Sequence, residues 1–135
     1  MKTIVTPGIA ALLAILVAGC GEEGVQSSRA ADSAAEALAG RTAGTPVACV
    51  NLRDLRGNRS IGDGAILFEG PGGMVYVNRP AGGCPDLNAG RSLVTRTPSG
   101  RLCSGDIARV VDPVNGIEYG SCGLAEFVPY RRAGS

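Results

Sequence analysis

Hydrophobic positions along the chain fall into three regimes. Ile4 to Val17 is almost continuously apolar, interrupted at Thr6, Pro7 and Gly8, and follows a positively charged Met1-Lys2-Thr3 start. The run is too short and too broken for a stable membrane-spanning helix and has the form of a signal-peptide core. Residues 21–46 are then dominated by Ala, Gly, Ser, Glu and Thr and contain no aromatic, so they cannot build a core. Ser28 to Ala39 has the composition of a short Ala-rich helix, but Leu38 is its only large apolar residue, and an isolated helix of that length is marginal in water. The segment 20–46 therefore reads as a tether, and a flexible coil of about 26 residues spans roughly 25 to 30 Å.

From Val47 onward the apolar residues come in short runs: Ala48 to Leu52, Ala65 to Phe68, Met74 to Val77, Ser92 to Thr97, Ile107 to Val111, Ile117 to Tyr119 and Leu124 to Tyr130. None sustains a helical period, and their composition suits strands. Gly70-Pro71-Gly72-Gly73, Thr97-Pro98-Ser99-Gly100 and Asp112-Pro113-Val114-Asn115-Gly116 separate them with the residues tight reversals need. The expected fold is mainly β: a small antiparallel meander over residues 47–132, closing into a barrel or a sandwich so that strand edges are removed, with 133–135 as a tail.

Such a domain, with 14 glycines, has a thin core and much backbone entropy to overcome. Four cysteines offset this: Cys49, Cys84, Cys103 and Cys122, separated by 35, 19 and 19 positions. Structural zinc sites bring cysteines in close pairs, which is not this spacing, and no C-x-x-C redox motif occurs. Two structural disulfides are the reading, with Cys84–Cys103 and Cys49–Cys122 as the expected pairs, the second tying the first strand to the last. Beyond the cysteines the two equal spacings show no repeat.

The apolar leader ends Val17-Ala18-Gly19-Cys20, small residues running directly into a cysteine. This resembles the lipobox of bacterial lipoproteins. The resemblance implies removal of residues 1–19, lipidation of Cys20 and anchorage in the cell envelope through two or three acyl chains, which hold a protein on a membrane essentially permanently. Gly21, where an Asp would imply inner-membrane retention, implies the outer membrane with the domain facing the periplasm. The order Cys49, Cys84-Pro85-x-Leu87, Leu102-Cys103-x-Gly105-Asp106 and Cys122-x-Leu124-x-x-Phe127 is similar to a family of short exported bacterial proteins of unknown function, and implies a fold without assigning a catalytic residue.

Charge and chemistry narrow the function. Once Lys2, the only lysine, is removed with the leader, 12 arginines face 12 acidic residues, so no strong field for nucleic acid exists. There is no His and no Trp, which removes imidazole bases and metal ligands. No G-x-S-x-G, S-x-x-K, phosphate loop or H-E-x-x-H occurs, and no cofactor or metal is implied. The carboxylates Asp54, Asp63, Glu69, Asp86, Asp106, Asp112, Glu118 and Glu126 are the acid-base resource, but several sit beside turn residues, where Asp commonly bonds local amides. Cys103-Ser104-Gly105-Asp106 reads as a braced bend, because one carboxylate is far short of the oxygens calcium needs.

Arginine offers a different possibility, because guanidinium forks match carboxylate and phosphate groups. Arg53, Arg56 and Arg59 recur every third residue, and Arg131-Arg132 form a basic end; these five are the candidate anion-binding surface. The expected function is a membrane-anchored periplasmic lipoprotein with a non-enzymatic binding or envelope accessory role, meeting an envelope protein or an anionic glycan. The alternative is a carboxylate-dependent hydrolase of envelope polymers.

Overall fold

The computed structural model describes residues 32–134 except 63 and 89; the leader 1–19, Cys20 and the tether up to residue 31 lie outside them. Among the described residues ten strands form three antiparallel sheets: β1 (Arg41–Ala43), β2 (Cys49–Asn51), β3 (Gly57–Ile61), β4 (Ala65–Glu69), β5 (Val75–Asn78), β6 (Ser92–Thr95), β7 (Arg101–Cys103), β8 (Ile107–Val111), β9 (Glu118–Gly123) and β10 (Phe127–Arg132). The larger sheet has the order β1-β10-β5-β4-β3, a second pairs β2 with β7, and the third runs β6-β8-β9. The fold is mainly β, as expected, but the sheets do not close into a barrel.

Turn chemistry explains the local hairpins. β3 and β4 reverse through Gly62 and Gly64, at φ 59° and 80°. β4 and β5 reverse through a short 3-10 turn at Pro71–Gly73, where Gly72 and Gly73 also have positive φ. β8 and β9 turn at Asp112, whose carboxylate accepts the Val114 amide at 2.8 Å. Thr97–Gly100 differs from expectation: it joins β6 to β7, which belong to different sheets. β10 also returns between β1 and β5, so the larger sheet is not a simple meander.

The disulfides correct the expected pairing. Cys49 lies opposite Cys103 in the β2–β7 register and is bonded to it, while Cys84, in the long loop after β5, is bonded to Cys122 in β9. The expected pairs tied the first strand to the last, but β2 pairs with β7 instead. The loops closed span 54 and 38 positions, each worth about 4 kcal/mol on the chain-entropy view.

The folded unit also begins earlier than Val47. Residues 32–38 are helical, β1 pairs with β10 through Arg41, Thr42 and Ala43, and Val47 bridges to Phe127. Isolated, this segment has too little apolar surface to fold; here Ala37 and Leu38 pack on Ile61, Leu67, Val75 and Val77, and strand pairing supplies the rest. Among the described residues no helix is long and apolar enough to cross a membrane.

Period-two alternation gives the larger sheet two different faces. One face joins residues from all three sheets in the main core, including Ile66, Phe68, Leu102, Val110 and Phe127 with the Cys84–Cys122 disulfide. Phe68 and Phe127 meet at 5.6 Å between ring centroids. The opposite face is the small aliphatic cluster covered by Ala37 and Leu38. Asn78 is fully buried, and its side chain donates to Ala125 O at 2.7 Å and accepts from Ala125 N at 2.9 Å, clamping β5 to the approach to β10. Gly64 fixes the loop end: a β-carbon there would lie 2.7 Å from backbone atoms of Gly83 and Cys84, whose amide donates to Gly64 O at 2.9 Å.

Candidate functional site

Of the five arginines singled out in the sequence, Arg56 and Arg59 line one cleft, and Arg53, Arg131 and Arg132 are not among its lining residues. Arg53 lies exposed in the 3-10 turn Leu52–Asp54. Arg56 follows that turn, held by its amide bonding Glu69 O at 2.9 Å, and Arg59 stands exposed on β3 opposite Leu67. Arg131 and Arg132 end β10, across from Thr42 and Arg41. The structure brings Arg56 and Arg59 together with Arg41, a residue the sequence reading assigned to the tether.

These three arginines line one cleft of about 240 Å³ with Glu69, and Leu67, Val75 and Met74 provide an apolar wall. The position follows from the register. Arg59 and Leu67 are neighbours across β3 and β4; Glu69 pairs with Gly57 on one side and Val75 on the other. Ala37, on the helical segment, closes the cleft from above the sheet. Arg41 is fixed by donating through Nη1 to Gly73 O, in the β4–β5 turn. Among the described residues the side chains of Arg56 and Arg59 make no ion pair or hydrogen bond, so their donors are free for a ligand. Three guanidinium groups against one carboxylate leave the cleft net positive, and its apolar wall lowers the local dielectric, which strengthens a charge-assisted bond to an entering anion.

The carboxylates are arranged differently. Asp106 Oδ2 accepts the Cys103 amide at 2.7 Å, bracing the bend where Gly105 has φ 92°. Asp112 holds its own turn, and Asp54 accepts from Asn51 at 3.4 Å. Glu118 pairs with Arg109 at 3.4 Å on an exposed surface. Asp86 packs against Gly120, and its carbonyl accepts from Arg91, whose guanidinium lies 3.5 Å above the Tyr119 ring centroid. Asp63 lies outside the described residues. Asp54, Asp106, Asp112 and Glu118 serve turns and local pairs and Glu126 stands exposed, whereas Glu69 is the carboxylate that lines the cleft of the arginine trio.

A second cavity, of about 200 Å³, opens on the other face of β3 and is lined by Leu52, Leu55, Asn58, Phe68, Leu93 and Leu102. Arg56 borders both cavities. Asn58 Oδ1 is buried there without a hydrogen-bond partner among the described residues. Sequence reading missed this cavity because its walls come from four separate segments. Comparison with protein families, curated proteins and solved structures gave no match to the chain.

Proposed function

We propose that the protein is an exported, lipid-anchored domain of the bacterial envelope with a non-enzymatic binding role, and that the cleft of Arg41, Arg56 and Arg59 is its ligand contact. Convergence of these residues from β1, from the segment before β3 and from β3 carries the reading. The Arg56 and Arg59 guanidinium groups, which make no side-chain bond among the described residues, can offer their forked donors to a carboxylate or phosphate. The address rests on the Val17-Ala18-Gly19-Cys20 lipobox resemblance, and two disulfides fit an oxidising, exported compartment. Lipidation at Cys20 then supplies the membrane attachment, leaving the arginine cleft to meet a carboxylate- or phosphate-bearing partner on the periplasmic side of the outer membrane.

The test is chemical cross-linking in cells producing the full chain. Charge reversal of Arg56 and Arg59 to Glu is expected to remove the cross-linked partner, while reversal of Arg53 and Arg131 leaves it. A partner retained by the first variant and lost by the second overturns the assignment of the cleft. Intact mass of the detergent-extracted protein checks the address: a chain starting at Cys20 and carrying acyl groups is expected, and an unacylated chain overturns it.

A further inference from the structure

We propose that the arginine cleft takes a zwitterionic head group, an ammonium and a carboxylate on one carbon, that continues into an aliphatic stem. The inference rests on the binding role of that cleft and names the chemistry of its ligand. It starts from Glu69, the carboxylate that lines the cleft. Gly57, Arg59 and Ile61 alternate onto one face of β3, and Ala65, Leu67 and Glu69 onto the same face of β4. With Arg59 opposite Leu67 and Gly57 opposite Glu69, Arg59 and Glu69 stand diagonally across the strand pair. Diagonal neighbours lie about 7 to 8 Å apart, within reach of long side chains. The Arg56 amide donates to Glu69 O at 2.9 Å, which brings Arg56 to the same end of β4. Among the described residues the Glu69 carboxylate nevertheless makes no ion pair or hydrogen bond, and neither do the guanidinium groups of Arg56 and Arg59.

Opposite charges thus line one cleft without being joined. The backbone beside them is fixed: Gly70 N donates to Met74 O at 2.9 Å and Met74 N to Pro71 O at 3.1 Å, in the turn that Arg41 also grips through Gly73 O. A simple anion would use the arginines but lie against the Glu69 carboxylate, a like-charge contact that weakens binding. A simple cation would meet three guanidinium groups. A ligand with both charges uses both sets, its carboxylate accepting the forked donors of Arg56 and Arg59 and its ammonium donating to Glu69. With both charges on one carbon, the remaining substituent is free to lie on the apolar wall of Leu67, Met74 and Val75. The cleft holds about 240 Å³, less than the roughly 300 to 1,000 Å³ of sites for drug-sized ligands, so it suits one such head group and a short stem. A free amino acid and the amino-acid end of a larger molecule present the same chemistry.

The probe is L-norleucine, titrated into the detergent-solubilised full chain at constant ionic strength and followed by the arginine Nε–Hε NMR signals. Hexanoate keeps its carbon chain without the ammonium, and free glycine keeps both charges without the stem. Norleucine is expected to move the Arg56 and Arg59 signals and to bind about tenfold more tightly than hexanoate, the lower end of what a charged hydrogen bond contributes. It is expected to bind several-fold more tightly than glycine, through burial of the stem. Glu69→Gln is expected to bring norleucine down to the level of hexanoate while hexanoate binds at least as tightly as before, which shows the cleft to be intact. Hexanoate binding as tightly as norleucine, with no effect of Glu69→Gln, overturns the zwitterion but leaves the anion cleft. Inorganic phosphate binding without norleucine does the same, whereas silence of norleucine, hexanoate and phosphate overturns the cleft as well. Glycine binding as tightly as norleucine overturns the aliphatic stem. Nε-acetyl-L-lysine separates the two sources: binding equal to that of norleucine assigns the end of a larger molecule, and its exclusion assigns a free amino acid.

Discussion

The two faces of the larger sheet are stabilised by different means. On one, Ile66, Phe68 and Phe127 join residues of the other two sheets, and the Cys84–Cys122 bond runs through that core. On the other, four buried aliphatic residues are covered by Ala37, Leu38, Ala65 and Tyr130. The first face resists opening because cross-links restrict the unfolded chain and large side chains fill the interior. The second depends on a short helical segment that would be marginal alone. The arginine cleft lies at the margin of the second face, so the binding surface is carried by the weaker cover while the cross-linked side keeps the strands in register beneath it.

The comparison can be broken most severely from the cross-linked side. Replacing Cys84 and Cys122 by Ala is expected to lower unfolding stability by about 4 kcal/mol, read as the shift in a urea unfolding curve. A non-reducing peptide map should contain Cys49–Cys103 and Cys84–Cys122 linked peptides. Next is Asn78→Ala, which empties a fully buried position and leaves the half-buried Ala125 amide and carbonyl without their partner; a loss of about 3 kcal/mol is expected in the same assay. Leu38→Ala removes part of the thin cover and should cost about 1 to 2 kcal/mol, with hydrogen exchange accelerating in β1 before β8 and β9. A uniform acceleration would remove the distinction between the faces. Smallest is Arg56→Glu, whose side chain has no internal partner: unfolding stability should stay within about 0.5 kcal/mol of the parent, so any lost binding belongs to the site. Glu118→Gln, which breaks the exposed pair with Arg109, should likewise change stability by less than about 0.5 kcal/mol and sets the scale for surface charge.

Much of the strand pattern was legible because it depends on local residues. Ala65 to Phe68, Met74 to Val77 and Ile107 to Val111 are apolar runs with glycine or proline close by, and they give β4, β5 from Val75 onward, and β8. The Cys103-Ser104-Gly105-Asp106 bend was legible for the same reason, as an Asp reaching back three residues is a local interaction. β3 was not: Gly57-Asn58-Arg59-Ser60 has a polar, turn-like composition and becomes a strand only by pairing with the apolar β4. β1 was hidden likewise, since Arg41, Thr42 and Ala43 have no strand signature apart from β10. The disulfide pairs depended on β2 meeting β7, a contact between strands about 50 residues apart, which no spacing rule encodes. The candidate site was half visible: Arg56 and Arg59 stood out by their spacing, whereas Arg41 joined them through the long-range return of β10 beside β1.

The most direct test of the central claim, that Arg41, Arg56 and Arg59 act as one anion site, is an NMR titration of the arginine Nε–Hε signals of the full chain with glutarate at constant ionic strength. The account predicts that these three signals move together along a single saturating curve while those of Arg53, Arg96 and Arg101 stay in place. Small, unsaturating shifts shared by all the arginines would contradict it, because they would mean that the guanidinium groups are separate solvated charges.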